Sequence, residues 1–565
     1  MLDVCLAEGM RVDEECGENP MTRTQGWAAV AGVVAVAVTA VAGQLLAALF
    51  SPEASPISAV GTITIDVMPQ PLKEWAIDTF GTADKLALVV AMVLVIGVLA
   101  VVAGAGEYRR RYTGVALIVV FSALGAAAAV SRPAAGAAAA IAPLLAGAAG
   151  ALLLAGLVNQ LRLSVQEAQA AQEAQEAQKS SVAPAAHEAP HAPAAPQAPA
   201  ARQPLSAGAG MQRRKFLGAT AVSAAAGVVG GLVSGSLRQA QSAATALRSA
   251  VQLPRPASGS KPIPDAATLK LDGISALVTD TDTFYRIDTA FTVPRIDPTT
   301  WRLKVTGMVE QEVEIDFGQL RARPLIERYI TLACVSNPIG GELIGNAKWL
   351  GWPIRDLLAQ ASPAADADMV LSTSADGWTA GTPLEVLTDN RDAMLAIGMN
   401  DAPLPFEHGF PVRMVVPGLY GYVSATKWVT ELKVTRFADD VAYWTTRGWA
   451  ARGPIKTSSR IDTPRNGANR PPGRLRLGGM AWSQHVGIRA VEVKVDDGEW
   501  QPAELAAAIS TDTWRQWVAD VDLEPGEREL TVRAIDRNGD VQIGEFAPPI
   551  PSGATGYHSI TVQIG

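Results

Sequence analysis

Apolar positions follow two different patterns in the two halves of the chain. Nearly charge-free runs occupy about 27–50, 86–105, 113–131 and 134–158, and a fifth follows at about 216–236. Each approaches the ~20 residues needed to cross a ~30 Å hydrocarbon core at ~1.5 Å per residue. The pattern therefore predicts four transmembrane helices over 26–160 after a tail at 1–25, and a fifth within 211–240. Four such runs in succession argue against buried core helices. The Gln/Glu/Ala-rich stretch 166–178 is a polar helix former without an apolar stripe, and the Ala/Pro stretch 182–204 reads as an extended linker. Linkers are placed at 161–210 and 241–265.

From about 270 onward the chain alternates as a folded domain does. Trp301-Arg302-Leu303-Lys304-Val305 alternates apolar and polar like a half-buried strand closed by Gly307, and strand-like runs recur at 328–334, 368–373, 412–417 and 428–436 with a helical stretch at 353–361. That is an α+β domain over 266–445. Short strands then follow at 474–477, 488–495, 515–521, 528–535 and 558–564, with hairpin turns at Asp496-Asp497-Gly498 and Arg537-Asn538-Gly539-Asp540. They predict an Ig-like β-sandwich over 446–565. Only Trp27 and Trp75 of 13 Trp precede residue 300, which marks the same division.

Charge adds orientation. The 565 residues carry 47 Lys and Arg against 55 Asp and Glu, a formal net charge of −8, which argues against a nucleic-acid binder. Charged residues make up 18 % of the chain, below the usual ~25 %. Arg109-Arg110-Arg111 and Arg213-Arg214-Lys215 flank apolar runs; with both inside, the region after about 240 lies outside the cell membrane. Arg213-Arg214-Lys215-Phe216-Leu217-Gly218 before an Ala/Gly-rich run looks like a twin-arginine export signal. Met21, followed by Thr22-Arg23-Thr24, reads as an alternative start to Met1.

With 3 Cys and 5 His, the composition disfavours a disulfide scaffold and a multi-His zinc site. His187 and His191 fall in the Ala/Pro linker and read as solvated. Cys334 is the one cysteine beyond residue 20; it ends the apolar strand Tyr329–Ala333 and opens the loop Ser336-Asn337-Pro338-Ile339-Gly340-Gly341. A strand end facing a loop presents a reactive group rigidly. At this point three readings stand: a buried apolar cysteine, a metal ligand, or a nucleophile paired with His408 or His485 in a Cys/His hydrolase.

The residues from about 284 to the end resemble the sulfite oxidase family of molybdenum-molybdopterin enzymes. The matching pieces include Phe284-Tyr285-Arg286, Thr331-Leu332-Ala333-Cys334-Val335-Ser336-Asn337, Ala347-Lys348-Trp349-Leu350-Gly351, Met399-Asn400-Asp401, His408-Gly409-Phe410-Pro411-Val412-Arg413, Val416-Pro417-Gly418, Lys427-Trp428, Ala481-Trp482-Ser483 and Pro525-Gly526-Glu527. The resemblance implies a Mo-molybdopterin cofactor, with the thiolate of Cys334 as the metal ligand, a soft anionic donor suited to that role. It also implies cofactor contacts from Tyr285, Arg286, Asp376, His408, Arg413, Ser424, Thr426 and Lys427, with Arg413 and Lys427 pairing with phosphate.

The sequence departs from true sulfite oxidases where those enzymes have arginines just after the Cys-x-x-Asn unit, here Pro338-Ile339, and where they have an active-site Tyr, here Ile397. Arg489 and His485 are the second-domain residues expected to compensate as catalytic groups. The expectation is two-electron oxygen-atom transfer with the substrate unassigned: sulfite, or an S- or N-oxide in the reductive direction. No Cys-x-x-Cys-His occurs and no His precedes His187, so the membrane runs are expected to hold no haem. Electrons then pass to an external cytochrome or membrane redox protein. A homodimer through the second domain is the family habit. The competing reading is a membrane-tethered binding or scaffold module that keeps the fold without the chemistry.

Overall fold

The computed structural model describes residues 20–50, 84–131, 137–180 and 244–565, with scattered positions between 60 and 80. It falls into two compact units, Met1–Gln239 and Ala240–Gly565. The fifth apolar run and the Arg213-Arg214-Lys215 motif lie outside the described residues.

Among the described residues of the first unit, α1 (Pro20–Phe50), α2 (Asp84–Arg109), α3 (Thr113–Val130) and α4 (Ile141–Ser180) are the four helices long and apolar enough to cross a membrane. Small residues let their backbones touch: a Cβ on Gly104 would sit 2.0 Å from the Ala28 carbonyl oxygen, and one on Gly32 would sit 2.1 Å from that of Ala100. Val93, Leu94, Val98 and Leu152 point outward and are exposed. The buried carboxylate of Glu107 accepts from the N–H groups of Tyr112, Gly114 and Val115 at 2.9, 3.1 and 3.2 Å, capping the start of α3. Arg162 donates to the carbonyls of Glu107 and Tyr108 at the end of α2. Helix α4 continues to Ser180, past the sequence boundary at 160. Gln, Glu and Ala are strong helix formers, so the polar stretch extends the apolar helix.

In the second unit, β1 (Arg302–Gly307), β2 (Val313–Asp316), β3 (Ile326–Ala333), β4 (Ile344–Pro353), β5 (Met369–Ser374), β6 (Thr379–Pro383), β7 (Met394–Met399), β8 (Ala402–Pro403), β9 (Arg413–Val415) and β10 (Val429–Thr435) build the α+β part. They form two sheets, β2-β1-β10-β5-β6 and β3-β4-β7-β8, with β9 on β7. Helix α5 (Phe317–Arg321) starts at a capping box, the Asp316 side chain accepting from the Gln319 N–H at 2.8 Å and the Gln319 side chain from the Asp316 N–H at 2.9 Å. Helix α6 (Ile354–Ala361) turns Ile354, Leu357, Leu358 and Ala361 into the core.

The β-rich end holds β11 (Ser458–Thr463), β12 (Ala468–Arg470), β13 (Gly473–Trp482), β14 (Ile488–Val495), β15 (Gln501–Pro502), β16 (Glu504–Leu505), β17 (Arg515–Leu523), β18 (Gly526–Asp536) and β19 (His558–Ile564). Sheets β11-β13-β17-β16 and β12-β19-β18-β14-β15 share a core that includes Leu477, Val491, Trp517, Val532 and Val562. The turn at 496–498 joins β14 to its partner β15, whereas the turn at 537–540 leads only to an isolated bridge between Ile535 and Val541.

Two boundaries differ from the sequence reading. Residues 244–265 are packed rather than a free linker: Arg248 donates to the carbonyls of Leu404 and Pro403 at 2.7 Å each, and Ser258 bridges to Ile326 on β3. The α+β part and the β-rich end also share a core, because Met480, Trp482 and Trp514 join the cluster containing Trp352 and Leu432. The Trp514 indole donates to the Leu277 carbonyl at 2.8 Å.

Candidate active site

Strand β3 ends at Ala333, and the next residue, Cys334, begins a closed loop. Its N–H donates to the Leu343 carbonyl at 2.9 Å, while the Asn337 side chain accepts from the Leu343 N–H at 2.9 Å. The thiol is buried at 8 % exposure. Burial pushes its pKa up, only partly opposed by hydrogen bonds from Ser336, so the free protein holds a thiol rather than a thiolate.

Cys334 lines a cleft with Ala333, Asn337, Pro338 and Ile339 from its own loop. Tyr420 comes from the segment before β10, and Ser458, Trp482 and Ala554 come from the β-rich end. That end also braces the loop. Buried Arg460 donates to the Gly341 carbonyl at 2.7 Å and pairs with Asp462 at 2.7 Å, and the His558 ring packs on Gly340.

A second group of side chains gathers positive charge. Arg413 on β9 is 5 % exposed, and its hydrogen bonds go to the carbonyls of His408, Met414 and Ala425 at 3.2–3.4 Å. Its guanidinium lies 5.1 Å over the Trp349 ring. Lys427 donates to Asp288 at 2.7 Å and to the Glu407 carbonyl at 2.9 Å, and Arg286 pairs with the same Asp288 oxygen at 2.9 Å. Burial lowers Arg413 to about 10 and Lys427 to about 8. Burial, followed by the charges of Arg413 and Lys427, lowers His408 to about 3, so its imidazole is neutral. Half-buried Tyr285 stacks on Phe284 at 5.2 Å, and its phenol is raised by burial first, then by Cys334, with Arg413 opposing. Tyr285 thus lies close to both Cys334 and Arg413.

The structure thus brings Tyr285, Arg286, His408, Arg413 and Lys427 into one neighbourhood. Ser424 and Thr426 are fully buried, but their hydroxyls are engaged within the fold: Ser424 donates to the Tyr420 carbonyl at 2.9 Å, and Thr426 lies 2.7 Å from the Ser372 hydroxyl. Asp376 sits in the turn after β5 and accepts from the Trp378 N–H at 3.1 Å. Neither second-domain residue lines the cleft. His485 pairs with Asp512 at 3.1 Å, and exposed Arg489 lies beside Gly539. The hydrolase reading gains no support, since among the described residues no imidazole is bonded to the Cys334 thiol and its partner is Ser336. Sequence reasoning missed Tyr420, Ser458 and Ala554 as cleft residues and Arg460 and His558 as its supports.

The chemistry of this donor set can be tested against a pterin-bound metal. Among the described residues, Lys427 and Arg286 share the carboxylate of Asp288 while buried Arg413 bonds only to backbone carbonyls, an excess of positive charge suited to a phosphate. The soft sulfur at a rigid strand end suits a metal held alongside other sulfurs. The residues fit such a cofactor.

Comparison with known proteins agrees with this geometry. Residues 290–444 match the oxidoreductase molybdopterin binding domain. The uncharacterized oxidoreductase YuiH of Bacillus subtilis (strain 168) is 32 % identical over 157 residues, covering 28 % of this chain and 76 % of that protein. The chain is 28 % identical over 305 residues to sulfite oxidase of Gallus gallus, covering 45 % and 66 % of the two chains. It is 30 % identical over 328 residues to the mitochondrial sulfite oxidase of Mus musculus, covering 48 % and 59 %. This chain belongs to the molybdopterin-binding oxidoreductase family that includes the sulfite oxidases, whose cofactor is Mo-molybdopterin. It spans between 59 % and 66 % of the length of those two sulfite oxidases.

Proposed function

We propose that this protein is a membrane-anchored oxidoreductase that moves an oxygen atom and two electrons at a molybdenum centre held by Cys334, with its catalytic unit on the extracytoplasmic side. The carrying observation is Cys334 at the end of β3 in a cleft, with Tyr285 close both to it and to buried Arg413. When bound, the cofactor supplies a metal that accepts or donates two electrons and an oxygen atom. Cys334 would ligate the metal, and Arg413 and Lys427 would hold the phosphate, Arg413 as a fork and Lys427 as a point charge. Arg286, Tyr285 and neutral His408 would line the pterin edge, with Ser424, Thr426 and Asp376 shaping the surrounding turns. The loop supports from the β-rich end, Arg460 and His558, would keep the sulfur in place.

Four apolar helices support membrane anchoring, and the positions of Lys and Arg support placing the second unit outside. A cofactor loaded in the cytoplasm requires export of a folded domain, which is the role proposed for Arg213-Arg214. The double variant Arg213→Lys, Arg214→Lys keeps the charge and should block export; undiminished export contradicts that role. The chain carries no haem-attachment motif, so the electrons are assigned to an external carrier. The two-sheet end is read as the Ig-like domain through which a dimer would form.

Fully buried Ile397 and the pair Pro338-Ile339 favour a second reading, a scaffold that has lost the chemistry. Elemental analysis of full-length protein from a cofactor-competent host separates the two. Close to one molybdenum per chain supports the enzyme, and metal-free protein supports the scaffold.

A further inference from the structure

Of the nine residues lining the Cys334 cleft, Tyr420 alone besides Cys334 has a side chain that ionises. Arginine is absent from that lining, and Ile397, at the position where the resemblance predicts a phenol, is sealed in the core. The segment carrying Tyr420 is fixed by its pairing with 453–455: the Tyr420 N–H donates to the Gly453 carbonyl at 2.8 Å and the Ile455 N–H to the Gly418 carbonyl at 3.0 Å. The Tyr420 oxygen accepts from the Lys456 N–H at 3.5 Å, and among the described residues no acceptor takes the phenolic proton. Gly553, with φ +94°, leaves room for that hydroxyl, since a Cβ there would lie 2.6 Å from it. A buried phenol in the cleft lining whose proton has no acceptor among the described residues is available to donate to what enters the cleft.

We propose that Tyr420 is the proton-donating catalytic residue of this cleft, a phenol supplied by the segment before β10 in place of the one absent at Ile397. The inference rests on the reading that Cys334 holds molybdenum. In the reducing direction the S–O or N–O bond of an oxide breaks, and sulfur or nitrogen gains two electrons delivered singly by an external reduced carrier. The oxygen leaves as water with two protons, one of them given by Tyr420 and regained from solvent. The oxidising direction is the reverse. With no cation lining the cleft, an uncharged oxide is the substrate class this donor suits, and a dianion such as sulfite is disfavoured.

The test uses full-length protein from a cofactor-competent host, with three readouts. These are molybdenum content, the Mo(V) electron paramagnetic resonance spectrum in H2O and D2O, and dimethyl sulfoxide reduction by dithionite-reduced methyl viologen. Tyr420→Phe is expected to keep its molybdenum, to change the exchangeable-proton splitting and to lower turnover about 100-fold, the usual worth of a positioned acid. Gly553→Ala, which crowds the Tyr420 hydroxyl, should alter the splitting in the same sense as Tyr420→Phe. An unchanged splitting in molybdenum-loaded Tyr420→Phe overturns the inference, as does loss of molybdenum from that variant, which would make Tyr420 a structural support. Wild-type protein without molybdenum overturns the reading of the whole site instead.

Discussion

Replacing Arg413 with methionine removes a guanidinium whose hydrogen bonds all go to backbone carbonyls, at 3.2–3.4 Å. In the cofactor-free protein that charge carries a penalty. Its pKa falls from 12.5 to about 10, which at ~1.36 kcal/mol per pKa unit is about 3 kcal/mol against the charged form. Three long hydrogen bonds and the contact with Trp349 return about the same amount. Methionine fills most of the vacated space, so cofactor-free Arg413→Met should stay within about 2 kcal/mol of wild type, a shift of a few degrees in melting temperature. The loaded protein behaves differently. Two charge-assisted bonds to phosphate at ~1.5–3 kcal/mol each predict retention weaker by about 100-fold or more. Cofactor-free protein is followed by thermal melting, and loaded protein by elemental molybdenum and by fluorescence of the oxidised pterin. Wild-type molybdenum occupancy in the variant, or a cofactor-free variant that fails to fold, refutes the reasoning.

Other parts of the molecule respond in their own ways. In cofactor-free protein Lys427 titrates at about 8, so its charge is present at pH 7 and lost as pH rises through 8; sulfate binding should weaken about tenfold by pH 9.5 on calorimetry, and Lys427→Arg should flatten that limb. Folding stability moves the opposite way: the folded state releases this proton before the unfolded chain does, so the Lys427 contribution rises with pH between about 8 and 10.5. Arg460→Met leaves the buried Asp462 carboxylate with the Ser275 N–H but no cation and frees the Gly341 carbonyl. A loss of about 3–5 kcal/mol in melts and faster reaction of Cys334 with a thiol reagent are expected; an unchanged reaction rate contradicts a bracing role. Gly104→Val in the first unit drives a side chain into the Ala28 carbonyl and should lower the melting temperature in detergent, whereas Gly97→Ala, with open space around it, should not.

Much of the fold was legible because local signals and tertiary packing agree. The alternation in Trp301–Val305 became strand β1, the run ending at Ala333 became β3, and all five runs of the β-rich end fall within strands. The boundaries that moved did so where composition is ambiguous. Gln, Glu and Ala form helix as readily as linker, which carried α4 to Ser180, and the 244–265 segment is helical through 250 and then tied to β3 at Ser258. Cys334, Arg413 and Lys427 were recognisable because each sits in a contiguous motif. Tyr420 and Ala554 were not, since they meet only when the β-rich end folds back over the Cys334 loop. Arg489 went the other way: it follows a matching tripeptide, yet β14 carries it to the exposed turn near Gly539.

The claim on which the account turns is that the sulfur of Cys334 is bonded to molybdenum. X-ray absorption at the molybdenum K-edge, on wild type and Cys334→Ser loaded in the same host, counts the sulfur neighbours of the metal directly. The account predicts one sulfur fewer in the variant; an identical sulfur shell in the two proteins contradicts it.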